Sequence, residues 1–132
     1  IINTKGGSLL TLTYLGAKKT TPHYNVMGVA KAALETSVKY MSMDLGPKNI
    51  RVNAISAGPM KTLAGAAISG ARHVFRFSEK VTPLKNNPDL KQVGSSALYL
   101  LSDLSSGVSG VIHNVDGGLH STGVPAQKDI EF

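Results

Sequence analysis

Apolar and polar positions follow two rhythms along this chain. Ser8-Leu-Leu-Thr-Leu-Thr-Tyr14 has a nearly unbroken apolar centre between Gly6-Gly7 and Gly16, and it predicts a buried parallel strand over 8–13. Pro22 and His23 can open a helix, and Ala30, Ala32, Ala33, Leu34 and Met41 favour carrying it to about residue 45, where Gly46-Pro47 stops it. Ile50-Arg-Val-Asn-Ala-Ile-Ser56 alternates weakly and is rich in β-branched residues, which predicts a second strand leading into Ala57-Gly58-Pro59. From residue 60 to 88 the pattern loosens, with Gly65, Gly70, Pro83 and Pro88 interrupting short helical pieces such as 71–80. Pro88-Asp89 then caps a helix to about Ser102, whose stripe is Val93, Ala97, Leu98, Leu100 and Leu101. Val111-Ile-His-Asn-Val115 predicts a third strand, and Asp116-Gly117-Gly118 turns out of it. The polar tail, 121–132, is expected to be loose.

A strand, a long helix and a strand joined by short links predict a βαβ unit with parallel strands, and hence an α/β fold. Ligands of such sheets collect beyond the carboxyl ends of the strands, where Tyr14 and Gly58-Pro59 both fall. The 60–88 stretch is long enough for a lid, with Ile68, Val74, Phe75 and Phe77 suited to an apolar wall; an ordinary helical excursion is the alternative. Gly28, Ala32 and Ala33 would let the long helix approach a neighbour closely, including a second subunit.

Composition narrows the class. The 132 residues, 42% hydrophobic and 17% charged, suit one globular domain. No apolar run reaches membrane-spanning length and no signal segment opens the chain, so the expected compartment is the cytoplasm. Cysteine is absent, which removes disulfides and thiolate metal sites. His23, His73, His113 and His120 show no ligand spacing, so no metal is expected. The net charge of +6 is dispersed and spells no nucleic-acid module; it fits an acidic protein partner, an anionic cofactor or plain solubility. No Gly-x-Ser-x-Gly elbow is present. A Gly-rich phosphate loop is also missing, so the pyrophosphate-holding half of a dinucleotide fold lies outside these residues. The chain opens on Ile1 and reads as the back part of something longer.

The candidate chemistry lies between Tyr14 and Lys31. On one helix Tyr24 and Lys31, seven apart, would differ by roughly 20° in direction and share a face. A phenol of ordinary pKa about 10 beside an ammonium is an acid with its tuner, because the positive charge favours the phenolate. The plainer alternative makes Tyr24 an amphipathic-helix residue and Lys31 a solvated one. Tyr14-Leu-Gly-Ala-Lys18 offers a second tyrosine–lysine spacing, but not on the long helix.

The strand after Gly7-Ser8, the Tyr24/Lys31 helix, Ile50-Arg-Val-Asn-Ala-Ile-Ser-Ala-Gly-Pro59 with Thr62, and Val115-Asp-Gly-Gly118 together resemble the C-terminal half of the short-chain dehydrogenase/reductase superfamily. The longer Tyr-x6-Lys spacing resembles its enoyl-[acyl-carrier-protein] reductase branch, where a second tyrosine stands ten residues earlier, as Tyr14 does. The resemblance implies a Rossmann-like doubly wound parallel sheet, of which 1–132 carries three strands, and a helical substrate-binding loop at 60–88. It implies reduction of an enoyl thioester on acyl carrier protein by NADH, with NADPH left open. Tyr24 would hydrogen-bond the thioester carbonyl, Tyr14 would assist, and Lys31 would hold the nicotinamide ribose. Gly58, Pro59, Met60, Lys61, Thr62, Leu63 and Ala64 would line the cofactor, and Ala64, Gly65 and Ile68 the substrate together with the tyrosines. A homotetramer is the family expectation. The alternatives are a 3-oxoacyl or alcohol reductase of the same superfamily, or a non-catalytic oligomer-forming module of the same fold.

Overall fold

The structure is a computed structural model that describes residues 5–63 and 69–130. Its strands are β1 (Gly7–Thr13), β2 (Ile50–Ala57) and β3 (Ile112–Val115), and its helices α1 (Asn25–Leu45), α2 (Ala71–Val81) and α3 (Leu90–Leu101). The sheet order is β1-β2-β3 and both pairings are parallel, with Gly7 opposite Ile50, Thr13 opposite Ser56, and Ala57 opposite Val115. The strands therefore end side by side, and their carboxyl ends form one rim.

β2 organises the core through its alternation. Ile50, Val52 and Ala54 face one side and join Val38 and Leu45 of α1. Ile55 and Ala57 face the other and join Val93 and Leu100 of α3. The central strand is thus covered on both faces, which explains why its sequence alternates so little in polarity.

The polar residues of β2 lock the α3 side. Arg51 donates through its guanidinium to the carbonyls of Leu100, Ser102 and Val108 and to the Ser105 hydroxyl, at 2.7–3.3 Å. These include orphan carbonyls at the C-terminus of α3, where positive charge is favoured. Asn53 donates to the Val108 carbonyl at 2.9 Å and accepts from the Val111 amide at 3.1 Å, which fixes the entry into β3. At the other end of α3, Asp89 accepts from the Gln92 amide while Gln92 returns a bond to the Asp89 amide, the capping box that Pro88-Asp89 foreshadows.

Three expectations need adjustment. The long helix begins at Asn25 rather than residue 23, because His23 takes a left-handed backbone, φ 59°, and leaves Tyr24 as the N-cap residue. β1 reads as a buried strand but is the edge of this sheet, with Leu9 44% and Leu12 52% exposed. The tail is tied down as far as Asp129, whose carboxylate takes the Lys85 ammonium at 2.6 Å. Among the described residues no helix is long and apolar enough to cross a membrane.

Candidate active site

β1 ends at Thr13 and delivers Tyr14 into a loop that returns to α1 at Tyr24. The two rings meet edge to face, with centroids 5.1 Å apart and planes inclined by 72°. Glycine makes this contact possible: a Cβ at Gly16 would lie 2.5 Å from Tyr24 Cδ1, and one at Gly28 would lie 2.8 Å from the Gly16 carbonyl oxygen. The close neighbour that Gly28 admits is therefore the tyrosine loop of its own chain.

Tyr14, Tyr24 and Lys31 line a single cleft of about 560 Å³ at the carboxyl rim of the sheet. Lys31 lies two turns into α1, and its ammonium donates to the Leu12 carbonyl at 2.9 Å, which holds it against the end of β1. Lys18 does not line this cleft; its ammonium stands 3.9 Å from the Glu35 carboxylate, so the longer tyrosine–lysine spacing is the one that shares a site. Met27, three after Tyr24 and four before Lys31, completes their face of the wall, and that helical spacing was the available signal for it.

Burial governs the phenols. Tyr24 is only 8% exposed, and desolvation raises its hydroxyl above the ordinary 10.0. Tyr14 is raised as well, first by burial and further by Tyr24, against the opposing hydrogen bond from the Thr21 side chain. The expected lowering of Tyr24 by the lysine is not what this arrangement produces. At neutral pH both tyrosines are protonated donors.

The second wall comes from the turn after β2 and from α2. Gly58, Pro59, Met60 and Thr62 line the cleft, opposite Val74 and Phe75 of α2. Gly58 permits a tight crossing, since a Cβ there would lie 2.8 Å from Pro88 Cδ and 3.0 Å from Asp116 Cα. Lys61 turns away from the lining and places its ammonium 5.0 Å from the centre of the Phe75 ring. Leu63 is 94% exposed and also stands off the cleft. Ala64, Gly65 and Ile68 lie outside the described residues. Thr13, at the end of β1, and Thr21, in the tyrosine loop, line the cleft without having been singled out in the sequence.

The donor set fits part of a dinucleotide. Lys31, Thr62 and the main chain around 58–62 offer cationic and hydrogen-bonding groups beside two phenols, suited to a nicotinamide and its ribose. No Gly-rich strand-to-helix cradle for a pyrophosphate occurs in this sequence.

A parallel sheet covered on both faces, with its crevice beyond the carboxyl ends of the strands, defines a Rossmann-type α/β protein. Residues 2–120 match the profile of the enoyl-(acyl carrier protein) reductase family. The chain belongs to that family. It is 61% identical over 121 residues to enoyl-[acyl-carrier-protein] reductase [NADH] 1 of Rhizobium meliloti, covering 92% of this chain and 44% of the relative. It is 54% identical over 117 residues to the NADPH enzyme FabI of Staphylococcus aureus, covering 89% of this chain and 46% of that one. The crystal structure of FabI from Candidatus Liberibacter asiaticus superimposes with a TM-score of 0.90 at 51% identity, covering 93% of this chain and 48% of the other. The reductase of Anaplasma phagocytophilum in complex with NAD superimposes with a TM-score of 0.88 at 54% identity, over 93% and 47%. The chain spans about half the length of the curated relatives it matches.

Proposed function

We propose that this protein is an enoyl-[acyl-carrier-protein] reductase that reduces the trans-2 double bond of an enoyl thioester. The observation that carries this reading is the convergence of Tyr14, Tyr24 and Lys31 on one cleft at the sheet's carboxyl rim. Bound NADH supplies the hydride. As hydride reaches the far alkene carbon, negative charge gathers on the thioester oxygen, and the Tyr24 hydroxyl donates to that oxygen. This protonated hydroxyl meets the developing charge as a donor held in a buried setting, where such a bond is worth most. The edge-to-face contact with Tyr14 restricts how the Tyr24 ring can turn. Lys31, held at the end of β1, takes the ribose hydroxyls, and its charge steadies the same oxygen.

NADH is the proposed donor on the strength of the 61% identical relative, whose name specifies it. The 60–88 segment, with Val74 and Phe75 of α2 facing the cleft, is proposed as the wall that receives the acyl group. The outer face of α1 leaves Val26, Val29, Tyr40 and Met43 at least 70% exposed, which supports burial against a second copy and fits the family expectation of a tetramer. The reading places the reaction in the cytoplasm.

The test uses the full-length protein with an enoyl thioester and NADH. Tyr24→Phe is expected to lower turnover roughly 10²–10⁴-fold, the contribution of one positioned acid, with cofactor affinity preserved. Tyr14→Phe is expected to do less. Full turnover by Tyr24→Phe would overturn the assignment. Faster reduction of a 3-oxoacyl thioester than of the enoyl one would move the protein to a different reductase class.

A further inference from the structure

The loop that carries the two tyrosines is fastened from an unexpected direction. Lys19 lies midway between Tyr14 and Tyr24, and its ammonium donates to the carbonyls of His120 at 3.1 Å and Thr122 at 3.2 Å, about a hundred residues further on. Those carbonyls belong to the short turn Leu119–Ser121 that follows β3 and to Thr122, the residue that caps it. The turn is itself braced from beneath. Asp116 is buried and accepts from the amides of Gly118 and His120 at 2.9 Å, and its carboxylate also takes His120 Nδ1 at 2.9 Å. Lys19 therefore grips an anchor rather than a loose end.

On its own side, Lys19 is joined to both tyrosines by short main-chain links. The Ala17 amide donates to the Tyr14 carbonyl at 3.0 Å, and the Lys19 amide donates to the Leu15 carbonyl at 2.9 Å. Two residues on, the Thr21 carbonyl accepts from the Tyr24 amide at 3.2 Å, and Thr21 lines the cleft together with Tyr14. Lys18, its neighbour, reaches Glu35 only at 3.9 Å and grips no main chain. Among the described residues, the ammonium of Lys19 is the side-chain tie that joins this loop to the turn after β3.

We infer that Lys19 is a positioning residue, which pins the tyrosine loop to the turn at residues 119–122 and so sets the Tyr14–Tyr24 contact on which proton donation depends. The inference rests on the proposed role of Tyr24. A lysine suits the task because one ammonium can meet two carbonyls with separate N–H groups. The consequence reaches beyond stability, since a loosened loop misplaces the acid without emptying the cofactor site, and a misplacement of about 1 Å in such a group costs up to ~10² in rate.

The test compares Lys19→Met and Lys19→Arg in the full-length enzyme, each alone and with Tyr24→Phe. Lys19→Met is expected to lower kcat roughly 10-fold, with KM for NADH and the melting temperature unchanged. Lys19→Arg, which keeps a cationic multi-donor, restores most of the rate. In the Tyr24→Phe background Lys19→Met is expected to cost nothing further, because the group it positions is gone. Unchanged kcat in Lys19→Met, or an equal loss with and without the Tyr24 hydroxyl, overturns the positioning role while the acid assignment stands. A silent Tyr24→Phe overturns both.

Discussion

The Thr13 hydroxyl donates to the Glu35 carboxylate at 2.9 Å, with both residues buried, at the point where β1 gives way to the tyrosine loop. It joins the end of the strand to the middle of α1 below the cleft. A buried hydrogen bond to a charged group is worth about 1.5–3 kcal/mol, and removing one partner leaves the other unsatisfied. Glu35→Ala is expected to lower unfolding free energy by about 2 kcal/mol in denaturant titration of the full-length protein. Thr13→Val leaves the carboxylate to the Lys18 ammonium at 3.9 Å and should cost a similar amount, and the double variant less than the sum.

The phenols set an alkaline limit. A tyrosine whose folded pKa is raised contributes stability that is fully present below its unfolded value of about 10 and is lost as pH rises through the folded value. Both Tyr14 and Tyr24 are shifted this way. The difference in melting temperature between the parent and Tyr24→Phe should therefore be flat from pH 7 to about 9.5 and change only above about 10. Phenolate absorbance should show these two rings ionising above the ordinary tyrosine range.

Lys31 is expected to act through the dinucleotide. Its ammonium is set at the cleft by the Leu12 carbonyl, so Lys31→Ala should weaken NADH binding as well as turnover. Fluorescence titration of the cofactor checks this, and unchanged affinity with lost turnover would leave the residue an electrostatic role alone.

α2 is a formed helix with Ser78 and Val81 buried, and Ser78 donates to the Asn87 side chain at 2.7 Å. This part of the wall is therefore expected to stay fixed on ligand binding. Hydrogen exchange with and without cofactor and a substrate analogue should show little change in 75–81. Protection gained there on binding would make α2 a moving wall.

Arg51 tests the far side of the sheet. Its guanidinium serves four acceptors around the end of α3, so Arg51→Met should destabilise by about 2–3 kcal/mol, while Arg51→Lys recovers only part because an ammonium lacks the planar fork. Thermal melts of the three proteins decide it.

The pattern of the sequence revealed elements better than it revealed ties. The second strand was legible because Ile50-Arg-Val-Asn-Ala-Ile-Ser56 is rich in β-branched residues, and the third helix because Pro88-Asp89 precedes the stripe of Val93, Ala97, Leu98, Leu100 and Leu101. Tyr24 and Lys31 were legible as one face from their spacing, while Met27 between them was not singled out. Arg51 reaching Leu100, Lys19 reaching His120 and Thr13 reaching Glu35 were not, since a polar side chain's distant partner leaves no periodic trace. The tail looked loose for the same reason: polarity concealed the pairing of Asp129 with Lys85.

The open side of β1 has a practical meaning for anyone preparing these residues as a separate polypeptide. From Gly7 to Ala17 the sequence holds no charge, and Leu9 and Leu12 stand half exposed on a strand whose outer side pairs with no other strand among the described residues. Natural edges are guarded by lysine, proline or a bulge, and Gly7–Thr13 carries neither a lysine nor a proline of its own. Such a polypeptide would recruit strands from its own copies and come out of solution as concentration rises, so a soluble preparation needs a partner strand supplied along Gly7–Thr13.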